Sequence, residues 1–375
     1  MVSIPNLQED VLFLKQKYVY RIPALIYLKH SNTLLAFAEE RDDEVDEHSK
    51  KLVLRRGAYD TTAMCVEWGD LEILETAQLD GQRSMNPSPV YDEVTHTLFL
   101  FFITILGKVS EQHQIKTQTN LARLCHITST DEGQTWSPIT DLTESVIGTE
   151  YGKWATFAVG PGHCLQLNDE AQSLVIPSYT YYIHNPNTRA VPYAFSIISS
   201  DLGETWNLGK LITQKSALEC QMVEVNKEGE TQLYCNARSM EGARVEAISQ
   251  TYGRDFQEVR QADRLVEQPF GCHGSVIGFS VDGTDTWMLF SHPTDPSKRR
   301  DLGLYFNKNP LEPEQWEEPI IINPGPCAYS DLQYLGPGPD GSPTFCCLFE
   351  CGTISEYECI KFLLFTLEQV FPSPY

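Results

Sequence analysis

"STDEGQTW" at 129–136 and "SSDLGETW" at 199–206 both fit the pattern S-x-D-x-G-x-T-W and begin 70 positions apart. The pattern reads as a hairpin turn: the Asp caps neighbouring amides, the Gly takes a positive φ, and the Trp staples the turn to the sheet. A third stretch, "SQTYGRDF" at 249–256, keeps Ser249, Gly253 and an aromatic but has lost the Asp. One turn recurring at this period predicts a repeated β unit.

Short apolar or alternating runs fill the spaces between the boxes: "TLLAFAEE", "KLVLRRG", "TLFLFFI", "SLVIPSY", "TQLYCNARS", "WMLFSH", "LGLYFN" and "TFCCLFE". Gly, Pro, Asn or Asp separates most of them. Strands of this length and spacing predict an antiparallel sandwich, barrel or propeller with little helix. A repeat of several dozen residues favours a propeller of four-stranded blades. No low-complexity tract or linker divides the chain, so residues 1–375 read as one domain.

Composition is 41% hydrophobic and 21% charged, with 24 Gly and 22 Pro, which is globular and rich in turns. The formal charge of −23 excludes nucleic acid as a partner, because phosphate binding needs clustered Lys and Arg. It also opposes loose adhesion to anionic lipid, and an anionic substrate would need a few focused arginines. The opening "MVSIPNLQEDVLFLKQK" lacks the basic start, apolar centre and cleavage site of a secretory signal, so a non-secreted protein is expected. The most apolar run, "LFLFFITIL" at 98–106, is too short to span a bilayer and reads as a buried strand.

The 11 cysteines are scattered and include the adjacent Cys346 and Cys347, which fits neither a disulfide framework nor paired metal spacing. Reduced thiols in a cytoplasmic setting are expected, with one exposed cysteine left as a site for S-acylation. His48, His163, His273 and His292 show no metal-ligand spacing, so they read as supporting residues and no metal is expected.

"YRIP" at 20–23, the two boxes, "NARS" at 236–239, "RRDLG" at 299–303 and "AYSDLQ" at 328–333 together resemble the exo-α-sialidases over essentially the whole chain. Within that family "WATFAVGPGH", "IPSYTYYI" and "CLFECGT" look most like the vertebrate plasma-membrane ganglioside type, whereas the compact length is nearer to the cytosolic type. The resemblance implies an all-β, six-bladed propeller with Asp-box repeats and a site at one end of its axis. It implies retaining hydrolysis of terminal sialic acid from gangliosides, oligosaccharides or glycoproteins, with no cofactor. A cytoplasmic or peripheral membrane location follows.

The substrate's carboxylate, carried on the anomeric carbon, calls for planar guanidinium forks. By motif these map onto Arg21, Arg238 and Arg299; Arg300 is adjacent, and R-x-D-L-G spacing selects Arg299. Sialidases depart from most glycosidases in using a tyrosine nucleophile. A neutral phenol avoids repulsion by the substrate's carboxylate but needs a neighbouring base. Tyr329 and Glu219 match that pair. For the acid, "ERDDEVDEHSKK" offers Asp42, Asp43 and Asp46, and the D-E-H context maps the role onto Asp46. Glu39, Arg41, Met85 and Asn86 map near the ring hydroxyl and N-acetyl side; Tyr179, Tyr181 and Glu111 map to the glycerol and N-acetyl arms. Phe270 stands where related enzymes often carry Gln, which alters the polarity expected of the glycerol subsite. A glycan-binding propeller without catalysis is the alternative, since such turns stabilise blades whether or not hydrolysis occurs.

Overall fold

The computed structural model describes residues 7–281 and 283–372. Residues 1–6, the start of the stretch read for a signal, lie outside the described residues. The rest is built from antiparallel strands in a propeller-like arrangement. Four sheets have four or five strands and the fifth has seven.

The first of these sheets runs Val19–Leu28, Thr33–Arg41, Ser49–Asp60 and Cys65–Trp68, and the second Gln82–Asp92, Thr97–Leu106, Ala122–Ser129 and Thr140–Asp141. The third contains Trp154–Val159, Leu174–Tyr182, Val191–Ser199 and Asn207–Leu208. Cys220–Lys227, Glu230–Ala237, Ala243–Ser249 and Gln257–Val266 make the fourth. In the seven-stranded sheet the long strand Ile320–Pro337 pairs first with Arg300–Asn307 and then, from Cys327 onward, with Pro343–Cys351. Gln8–Leu14 pairs with Cys359–Thr366, so the two ends of the described chain close the ring.

Each run singled out for its apolar character is a strand. The lack of clean alternation has a physical cause: sheets stack face to face, so both faces of a strand are buried. Leu35 and Phe37 pack with Leu98, Leu100 and Phe102 of the next sheet, while Leu34, Ala36 and Ala38 on the opposite face pack with Leu348, Phe362 and Leu364.

The repeated boxes all connect the third to the fourth strand of their sheets. In the first, Asp131 accepts from the Ser129 hydroxyl at 2.8 Å and from the Thr135 amide at 2.8 Å, while Ser129 Oγ accepts the Gly133 amide at 2.8 Å. Asp201, Thr205, Ser199 and Gly203 repeat the same set. In the third stretch Ser249 Oγ still accepts the Gly253 amide, and Thr251 Oγ1, standing in for the lost Asp, accepts the amide of Asp255. The tryptophans staple the turn to the preceding sheet rather than to their own: Trp136 meets Phe37 edge-on at 6.2 Å, and Trp206 meets Phe101 at 4.7 Å. Gly203, at φ +89°, lies so close to Phe99 that a Cβ would sit 2.3 Å from its ring.

Among the described residues no helix is long and apolar enough to cross a membrane. Ten of the cysteines are buried and Cys65 is half-buried, all as free thiols. Among the described residues no cysteine is exposed, which corrects that expectation and leaves Cys65 as the partly accessible thiol.

Candidate active site

Three inner strands carry a register shift at the point where they reach one cavity of about 520 Å³. The shifts fall between Arg21 and Ala24, between Met85 and Ser88, and between Cys327 and Ser330. Ile22 and Asn86 there take positive φ of 57° and 60°. An extra residue in one strand re-aims the side chains beside it, and this is how Arg21, Met85, Asn86 and Tyr329 come to line the same space.

Glu219 immediately precedes Cys220–Lys227 and Arg238 immediately follows Glu230–Ala237, neighbouring strands of the fourth sheet. Their backbones are hydrogen-bonded, Arg238 N to Glu219 O at 2.8 Å. Arg238 Nη1 donates to Glu219 Oε2 at 2.7 Å and to the Tyr329 hydroxyl oxygen at 3.1 Å. That hydroxyl in turn donates to Glu219 Oε1. Arg21 and Arg299 flank the phenol, with guanidinium carbons 5.6 and 5.5 Å from its ring centroid. Arg300 lies outside this group and faces Asp301.

A buried carboxylate and two backbone carbonyls hold the guanidiniums. Glu350 accepts from Arg21 Nε at 3.1 Å and from the amides of Ile22 and Tyr329 at 2.8 and 3.2 Å. Phe270 O accepts from Arg238 at 3.0 and 2.6 Å, and Gly271 O accepts from Arg299 at 3.1 Å. The Phe270 ring is 76% exposed at the rim, so its main contribution is a backbone carbonyl.

Of the three aspartates offered by the acidic loop, only Asp46 lines the cavity; Asp42 pairs with Lys50 and Asp43 with His48. Asp46 accepts from Arg41 at 2.5 Å and lies 3.4 Å from Arg21. Arg41, Tyr179, Tyr181 and Glu111 also line the cavity. Glu111 begins the helix Glu111–Thr117 and accepts the Tyr179 hydroxyl at 3.2 Å. Glu39 does not reach the wall: fully buried, it grips Arg41 from behind and accepts the Asn86 amide at 2.7 Å. Glu39 thus stands one layer behind the lining residues Arg41 and Asn86 rather than in the wall where its motif was expected to place it. Sequence reasoning did not single out Glu350 or Tyr357, whose ring lies 4.0 Å below the Arg21 guanidinium. A carboxylate inside the buried run "PTFCCLFEC" is the signal that points to Glu350.

Charge sets what such a cavity accepts. Six arginines and three carboxylates line it: Arg21, Arg41, Arg83, Arg189, Arg238 and Arg299 against Asp46, Glu111 and Glu219. The excess along the wall is cationic inside a chain of formal charge −23, a lining that favours an anion over a cation. Burial, then the charge of Glu219, pushes the Tyr329 phenol up, with Arg238 and Arg299 opposing. For Glu219, burial pushes upward, but Arg238 and the hydrogen bond from Tyr329 help to reverse it and the net direction is down. Asp46 also ends below its ordinary value, because Arg41 and Arg21 outweigh burial. Glu111 is raised to about 7, first by burial and then by Glu219.

The description "BNR repeat-like domain" matches residues 32–339. Sialidase-2 of Mus musculus is 52% identical over 100% of this chain and 99% of its own length. Sialidase-3 of Homo sapiens is 42% identical, covering 94% of this chain and 90% of its own, and Sialidase-4 of Mus musculus 37% identical, covering 97% and 94%. Among solved structures, Hadza microbial sialidase Hz136 shares the fold with a TM-score of 0.77 at 22% identity, covering 94% of this chain and 66% of its own. Trypanosoma rangeli sialidase, solved as a covalent intermediate with 2,3-difluorosialic acid, has a TM-score of 0.69 at 16% identity, covering 95% and 59%. The class is therefore glycoside hydrolase, an exo-α-sialidase, and the reading as a glycan binder without catalysis is set aside. The chain belongs to the sialidase family. Its compact length and the higher identity both side with Sialidase-2.

Proposed function

We propose that this enzyme releases terminal sialic acid from gangliosides, oligosaccharides and glycoproteins with retention of configuration, through a glycosyl-tyrosine at Tyr329. The observation that carries the proposal is the Tyr329 hydroxyl donating to Glu219 amid three guanidiniums. Arg21, Arg238 and Arg299 grip the substrate carboxylate. Glu219 takes the phenol proton as Tyr329 Oη bonds to the anomeric carbon. The arginines offset the charge that develops on the oxygen.

Asp46 protonates the leaving oxygen and later draws a proton from the attacking water, after which Tyr329 recovers its own from Glu219. In the unliganded site Asp46 is an anion held by Arg41 and Arg21. A substrate carboxylate arriving on Arg21 competes for that guanidinium and adds a like charge, and both effects raise the Asp46 carboxyl toward a working acid. Met85, Asn86, Tyr179, Tyr181 and Glu111 contact the ring substituents.

Division of the seven-stranded sheet within Ile320–Pro337 gives the six blades we infer for a single domain over 1–375, with the boxes as Asp-box repeats. The location we infer is cytoplasmic, with a peripheral membrane pool held by protein contacts or acylation at Cys65. A pool unchanged by hydroxylamine would exclude the thioester.

Purified protein should hydrolyse a fluorogenic sialoside, with NMR detecting the α-anomer first. Tyr329→Phe should lower turnover by roughly three orders of magnitude, about 4 kcal/mol of barrier. Near-normal turnover by that variant would refute the tyrosine mechanism.

A further inference from the structure

A layer of polar side chains lies directly beneath the catalytic pair. At or just before three inner strands, residues two apart share a face: Glu219 with Gln221, His273 with Ser275, and Tyr329 with Asp331. The upper members meet at the cavity floor, where Tyr329 donates to Glu219 and stacks on His273. The lower members are all fully buried and meet one another.

Asp331 is the hub. Its carboxylate accepts from the Leu25 amide at 2.7 Å, the His163 amide at 2.9 Å, His163 Nδ1 at 2.7 Å and Gln221 Nε2 at 2.9 Å. Ser275 Oγ lies 3.0 Å from Asp331 and 2.7 Å from Gln221 Oε1, and accepts the Leu332 amide at 2.9 Å. The partners come from separate sheets. Leu25 is on the Arg21 strand, Gln221 on the strand that follows Glu219, and Ser275 on the strand that follows His273. His163 sits in the turn after Trp154–Val159. Gly162 admits the layer, since a Cβ there would sit 2.2 Å from Gln221 Nε2 and 3.0 Å from Asp331 Oδ1.

We infer that Asp331, with Gln221 and Ser275, positions the Tyr329–Glu219 pair by locking the separate strands that carry them in register across the axis. The inference rests on the tyrosine mechanism proposed above. It assigns Asp331 no contact with substrate: the carboxylate acts through strand placement. Rigid placement matters because small errors in alignment between nucleophile and base reduce the chemical step far more than they reduce binding. Binding by contrast depends on the arginines, which have further anchors outside this layer in Glu350, Phe270 O and Gly271 O.

The test compares two readouts in the full-length protein. One is the rate at which 2,3-difluorosialic acid forms its covalent adduct, and the other is affinity for a planar 2,3-unsaturated sialic acid. Asp331→Asn places an NH2 among donors and should slow adduct formation by about a hundredfold, with the inhibitor constant changed less than about threefold. Ser275→Ala, which removes one hydroxyl and keeps the backbone, should slow it by about fivefold with affinity unchanged. Should Asp331→Asn fail to fold, Ser275→Ala decides alone. Normal adduct rates, or rate and affinity falling in step, would overturn the inference. An adduct on another residue in the unaltered protein would instead overturn the tyrosine mechanism, so the two failures are distinguishable.

Discussion

His273 lies flat against Tyr329, ring centroids 5.1 Å apart and planes inclined by 27°. Its Nε2 is 2.8 Å from the Pro161 carbonyl oxygen, which assigns the proton to that nitrogen. Burial pushes the imidazole down to about 4, so it is neutral across the pH range in which the Glu219 carboxylate must act. A neutral ring supports the phenol by packing without competing for its base. His273→Ala opens a cavity beneath Tyr329 and should lower kcat by about tenfold, with KM moving less. Steady-state kinetics check this, and an unchanged kcat would remove the stack from the account.

Glu111 lines the cavity and is the carboxyl expected to make binding depend on pH. Its carboxyl, raised to about 7, is protonated in acid and adds a negative charge to the cavity as pH rises through that value. An anionic substrate is then repelled, so KM should climb above about pH 7. Glu111→Gln should flatten that climb. A KM profile identical in both proteins would contradict the assignment.

Arg238 is held by two bonds to Phe270 O and donates to both Glu219 and Tyr329. Arg238→Lys keeps the charge and loses the planar fork, so affinity for a planar sialic-acid analogue should fall by about tenfold or more. Titration calorimetry reads this without turnover. An unaltered dissociation constant would take Arg238 out of the carboxylate grip.

Trp206 is 6% exposed and packs edge-on against Phe99 and Phe101 of the preceding sheet. Trp206→Ala should destabilise the fold by about 3–5 kcal/mol, as large-to-small core changes do. Trp136 is only partly buried, and its alanine variant should cost less. Urea midpoints for the two variants test the order.

The boxes were legible because their hydrogen bonds are local: Ser, Asp, Gly and Thr within seven positions satisfy one another. Apolar outer strands were legible for a similar reason. The inner strands Val19–Leu28, Gln82–Asp92 and Cys220–Lys227 were harder, because their polar residues face an axis no local pattern announces. Arg21, the pair Glu219 and Arg238, and the pair Arg299 and Tyr329 belong to three different sheets, and only the ordered motifs of a family linked them beforehand. Glu39 shows the limit. Its motif sits at the site, but whether a carboxylate lines a cavity or stands one layer behind depends on the bulge at Met85 and on Arg41, which are tertiary facts.

The proposed nucleophile is the Tyr329 oxygen, and a trapped glycosyl-enzyme would carry the sugar there. Treatment with 2,3-difluorosialic acid, followed by proteolysis and tandem mass spectrometry, reads the bonded residue directly. A mass increase confined to the peptide bearing Tyr329 is expected, absent in Tyr329→Phe and formed more slowly in Glu219→Gln. An adduct on Glu219 or Asp46, or full labelling of Tyr329→Phe, would contradict it.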